Sequence, residues 1–150
     1  MDDDIPPLLP VHEMPPVRTQ HHLYLHWRAL MGPLGFSERL VWVSLLDDGG
    51  FQTPVLTQIA DPPAHPDDEM LARLMGAFSE VLHSHAEGGS VALLLSRPGR
   101  APMTESDRAW ARGLMSAAER AGVPMRPIHL ANDEELRVFA DDDLVVPRTA

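Results

Sequence analysis

The stretch SVALLLSRPGRAPMTESD, Ser90 to Asp107, decides the fold. Val91 to Leu95 are apolar without a break and Ser96 closes the run, the composition of a strand covered on both faces. Pro98 and Gly99 stop the strand, and Thr104-Glu105-Ser106-Asp107 opens a helix after a short loop. The end of a buried strand, followed by a loop and a helix start, is where α/β folds commonly place a functional site. Thr104 at an N-cap with an acid three residues on also predicts a capping box, which needs no active site. A sharper variant sends Arg97 towards Asp107, so that a charge-assisted hydrogen bond ties strand end to helix start.

Upstream of this stretch, Asp67 to Glu87 is the clearest helix. Met70, Leu71, Leu74, Met75, Phe78, Val81 and Leu82 form one apolar stripe, and Asp67, Asp68 and Glu69 suit the positive N-terminus. Gly88-Gly89 ends it; two glycines ahead of a strand are no phosphate cradle. Arg39–Leu46 and Gln52–Ile59 read as a β-hairpin around the turn Asp47-Asp48-Gly49-Gly50, and Pro54, with no amide to donate, puts the second strand at a sheet edge. Gln20 to Met31 fits a helix, with Leu23, Trp27 and Leu30 on one face and Gly32-Pro33 after it.

Downstream, a helix spans about Thr104 to Ala121, with Trp110, Leu114, Ala117, Ala118 and Ala121 inward and Gly122 as C-cap. Val123–Leu130 reads as a strand that Pro124 and Pro127 keep from full pairing, and Leu136–Ala140 as a last short strand. A tail runs from Asp141. The order predicts a mixed β-sheet with helices packed on it, in the α/β (α+β) class. The domain spans 19–146, between a flexible proline-rich arm at 1–18 and a tail at 147–150. The arm carries the Asp2-Asp3-Asp4 cluster and a few apolar residues (Ile5, Leu8, Leu9, Val11) suited to a surface groove.

Composition removes whole classes of chemistry. The chain has no cysteine, and all twelve basic residues are arginine. Thiolate zinc sites, a cysteine nucleophile, a P-loop lysine and a Schiff-base lysine are therefore out. A formal charge of -10 argues against nucleic acid or an anionic membrane as partner. No apolar run approaches the ~20 residues of a membrane span, and MDDDIPP is acidic where a secretory signal is basic, so a cytoplasmic location is expected. Ser96 lacks the glycines of a nucleophile elbow. Trp27, Trp42 and Trp110 are spaced as core residues, and the Met70/Met75 and Met103/Met115 pairs as core filler.

From Arg39 to about Val145 the chain resembles the JAB/MPN (JAMM) metalloprotease fold, most closely its RadC-like bacterial branch, with cytidine-deaminase-like layering. That family ends a buried strand on His-x-His-Pro and opens the next helix on Ser-x-x-Asp. Here the strand ends LSRP, and TESD follows after GRAPM; AHPDDEM and AGVPMRPIHL also look like that branch. The resemblance implies zinc held by two histidines and the aspartate, with an upstream glutamate activating its water. The histidine positions here are Leu95 and Arg97, which cannot ligate a metal, and FQTPVLTQI holds no acid. One carboxylate does not hold a catalytic zinc. The expectation is a pseudoenzyme with no cofactor, binding a protein partner or a small anionic ligand in the former metal cleft around Ser96, Arg97, Arg100, Thr104 and Asp107. The hairpin edge offers a partner strand, or a second copy, a place to pair.

The alternative is a metal-dependent hydrolase whose ligands are relocated among the eight histidines. His22 and His26 stand at i and i+4, but Leu23 takes the place of the glutamate in HExxH. His83 and His85 precede the buried strand, His129 lies beside two prolines, and His12 and His65 are in loops.

Overall fold

The computed structural model describes residues 5–144; the Asp2–Asp4 cluster and the tail at 147–150 lie outside the described residues. The elements are α1 (Gln20–Met31), β1 (Leu40–Leu46), β2 (Gln52–Ala60), α2 (Asp68–His85), β3 (Ser90–Ser96), α3 (Glu105–Ala121), β4 (His129–Ala131) and β5 (Leu136–Val138). The fold is α+β: a five-stranded mixed sheet in the order β2-β1-β3-β4-β5. β1 is antiparallel to β2 and β3, β3 is parallel to β4, and β4 is antiparallel to β5. Pro54 does lie on an edge strand, where its missing amide costs no ladder bond.

The unbroken apolar run of β3 follows from cover on both faces. Val91, Leu93 and Leu95 pack with α2 and α3 through Leu71, Met75, Phe78, Trp110 and Leu114. Ala92 and Leu94 point the other way, towards Leu23 and Trp27 of α1 and Val17 of the arm. Alternation of side chains in a strand makes both sets apolar at once. The two helices on the first face pass so close that a Cβ on Gly113 would stand 2.7 Å from Leu71 Cδ1. The arm also contributes to the second core. Val17 is buried and its N–H donates to Gly50 O at 2.7 Å, where Gly50 has φ +86° and a Cβ would meet Val17 O at 2.5 Å.

Two boundaries differ from expectation for physical reasons. The strand expected over Val123–Leu130 is reduced to His129–Ala131, with Met125 making only an isolated bridge to Val91. Pro124 can offer its carbonyl, which Val91 N–H uses at 2.9 Å, but Pro124 and Pro127 have no N–H to continue the ladder. In place of the tail expected from Asp141, Asp141–Leu144 forms a 3-10 turn, and Leu144 packs on the core.

Candidate functional site

The C-terminal end of β3 and the start of α3 meet as the sequence predicts, and a charged pair joins them. Arg97 Nε donates to both carboxylate oxygens of Asp107 at 3.0 and 3.1 Å, and Nη2 donates to Oδ2 at 2.7 Å. The two side chains are 11% and 4% exposed. The capping box forms in the same place: Thr104 Oγ1 accepts from Asp107 N–H, and Asp107 Oδ2 accepts from Thr104 N–H at 2.8 Å. The cap and the ion pair thus share one carboxylate. Burial pushes the Asp107 carboxyl up, but the Arg97 hydrogen bonds, the Thr104 amide and the Arg97 charge outweigh it and hold the pKa below the usual carboxylate range.

The loop between strand and helix is fastened by Asn132 and Asp133, which follow β4. Asn132 is buried; its Nδ2 donates to Ala101 O at 3.1 Å, the same carbonyl that accepts from Arg97 Nη2 at 2.7 Å. Asp133 accepts from Gly99 N–H at 2.8 Å and from Phe36 N–H at 3.0 Å, and these two amides lower its pKa. On the other side Arg39 donates to Ser106 Oγ at 3.2 Å, and Trp110 Nε1 to Pro63 O at 2.8 Å. An Asn-Asp pair after a strand signals an Asx turn; its reach across 34 residues to Gly99 is tertiary and leaves no local pattern.

These contacts close the corner. The recess bordered by Leu95, Ser96, Arg97 and Asp107 has a volume of about 10 Å³, no more than a single water needs. Ser96 is 2% exposed and its Oγ accepts from Trp42 Nε1 at 2.9 Å. Leu95 belongs to the core. Arg100 is not part of the recess: its side chain is 82% exposed and stands 3.4 Å from Glu134. Thr104 acts as helix cap. The zinc that the resemblance implies does not fit these residues. Asp107 already gives its oxygens to a guanidinium and an amide, and its neighbours at the ligand positions are an aliphatic chain and a fixed cation.

The histidines do not gather elsewhere. Among the described residues no three His, Asp or Glu side chains lie together as a metal site would need. His12, His22, His65, His83 and His85 are exposed. His129 is buried in β4, its Nδ1 set against Pro127 O at 3.3 Å, and burial lowers its pKa to about 4. His26 is buried on α1, where Nε2 meets Gln52 Oε1 at 3.0 Å and Ser44 Oγ at 3.1 Å. Compared with known proteins, the chain matches no family model and no curated sequence.

Proposed function

We propose that this chain is a non-catalytic relative of the JAB/MPN fold that acts by binding a protein partner. The carrying observation is the Arg97–Asp107 pair. A guanidinium, charged at every physiological pH, occupies the one carboxylate that the family would give to zinc. The strand order, the helix on either side of the sheet and the TESD opening of α3 support the resemblance. A small anionic ligand is the weaker form of the proposal, because a recess of about 10 Å³ admits one only if Arg97 leaves Asp107. The outer edge of β2 is the better surface, since an edge strand can pair with a partner strand.

Metal content of the full chain, purified from zinc-supplemented cells, tests this reading. The expected result is no stoichiometric metal and no peptidase or isopeptidase activity when zinc is added. Stoichiometric zinc would overturn it and revive a hydrolase built on relocated histidines. A melting point raised by phosphate or citrate in the parent but not in Arg97→Ala would favour the small-ligand form over a protein partner.

A further inference from the structure

On the opposite face of the sheet lies a groove that the corner chemistry does not use. It runs between the arm and α1 and has a volume of about 330 Å³, at the lower end of the ~300–1,000 Å³ typical of ligand pockets. Four arm prolines, Leu9 and Met14 form one wall, and Leu25 and Ala29 of α1 face them. Among the described residues no Arg, Asp or Glu lines it. The polar side chains on its walls are the imidazoles of His22 and His26.

The hydrogen bonds behind the groove fix which nitrogen of His26 carries the proton. The two hydrogens of Gln52 Nε2 are shared among three carbonyls, those of Leu45, Thr53 and Val55, at 3.2, 2.8 and 3.1 Å. That orientation turns Oε1, which can only accept, towards His26 Nε2 and Ser44 Oγ. Nε2 therefore holds the hydrogen and Nδ1 the lone pair. Nδ1 makes no hydrogen bond among the described residues. It is also not one of the two sealed, unpartnered side-chain nitrogens, which are Trp27 Nε1 and Arg112 Nη1. A ring only 6% exposed thus lines the groove and carries an acceptor that has no partner among the described residues. Burial also lowers the His26 pKa, against the opposing pull of Gln52, so the ring is neutral at pH 7.

We propose that this groove binds a small, uncharged, mostly apolar molecule carrying a hydroxyl group, which donates its hydrogen to Nδ1 of His26. The apolar walls bury the body of such a molecule, and the Nδ1 lone pair gains a partner that the described residues do not supply. An anion finds no arginine on the described walls, and a molecule without a donor leaves Nδ1 unpaired. The site stands apart from the Arg97–Asp107 corner, so it does not depend on the function proposed for that corner.

The test uses 4-propylphenol as probe, its methyl ether as the donor-free control, and the full chain with nitrogen-labelled histidine. With the phenol, the Nδ1 resonance of His26 should move upfield while Nε2 stays in place. The ether should bind about tenfold more weakly, the loss of roughly one hydrogen bond. Ala29→Phe, which fills the groove from one turn along α1, should abolish the Nδ1 shift while the Nε2 resonance is retained. An unmoved Nδ1 at saturating phenol, equal affinity for the ether, or undiminished binding by a folded Ala29→Phe chain would overturn the proposal. The phenol-ether comparison on the parent chain decides the matter even if that variant does not fold.

Discussion

Two buried polar clusters sit on this sheet, and they end differently. At the corner of β3 and α3, Asp107 is shared between a guanidinium and a helix cap, and the space around it is filled. Behind α1, His26, Ser44 and Gln52 satisfy one another but leave one ring nitrogen without a partner among the described residues, on a ring that lines a groove. A site expected from strand-loop-helix geometry can therefore be closed by its own charges. A site with no motif can stay open because a neutral ring has one acceptor too many for its neighbours. Charge completeness, more than position in the fold, separates the two.

The corner gives the largest expected effect. Asp107→Ala strands the Arg97 guanidinium and removes half of the capping box, and should cost about 3–5 kcal/mol in urea unfolding. Arg97→Ala should cost less, because Asp107 keeps the Thr104 amide and gains access to water. The double variant should fall well short of the sum of the two, as coupled partners do. Strict additivity would mean that the corner is not a single unit.

Acid separates the two clusters next. His129 has a folded pKa of about 4 against an ordinary value of 6.5, and that of His26 is lowered too. A depressed folded pKa gives stability that is complete above pH 6.5 and lost as pH falls towards the folded value. The imidazoles on the α1 face should thus cost on the order of 2–3 kcal/mol between pH 6.5 and 4, read from urea midpoints. Asp107 has the same sign, but its loss begins only as pH falls through the usual carboxylate range and is complete below it. Stability that stays level down to pH 4 would show that neither ring is held neutral.

Gln52→Leu probes the open cluster directly. It removes the acceptor for His26 and Ser44 and should destabilise by ~1–3 kcal/mol. It should also free the His26 tautomer, which the ring nitrogen shifts report. The smallest effect belongs to Arg100→Ala. That exposed side chain pairs with Glu134, itself exposed, so thermal unfolding of the variant should stay within about 0.5 kcal/mol of the parent. A larger change would bring Arg100 back into the corner.

Much of this architecture was readable in the chain, because the signals involved are local. The bounds of α1, the hairpin with Pro54 at its edge, the run of β3 and the Thr104–Asp107 cap all come from period, turn residues and short spacings. The pairing of Arg97 with Asp107 was also foreseeable, since ten residues of loop and cap bring them together. The fastening by Asn132 and Asp133 was not, because it depends on which loop lies opposite. The shortening of β4 shows the limit of composition: apolar residues invite a strand, but two missing amides decide where it pairs. The role of His26 was hidden for the same reason, its partners lying 18 and 26 residues away.

The side-chain Nε–H of Arg97, followed by NMR in the full chain as zinc is added, tests the central claim most directly. A pair locked as described predicts a resolved resonance, protected from exchange with water and unmoved by equimolar zinc. A signal that exchanges freely, or that vanishes as zinc displaces the guanidinium from Asp107, would contradict it.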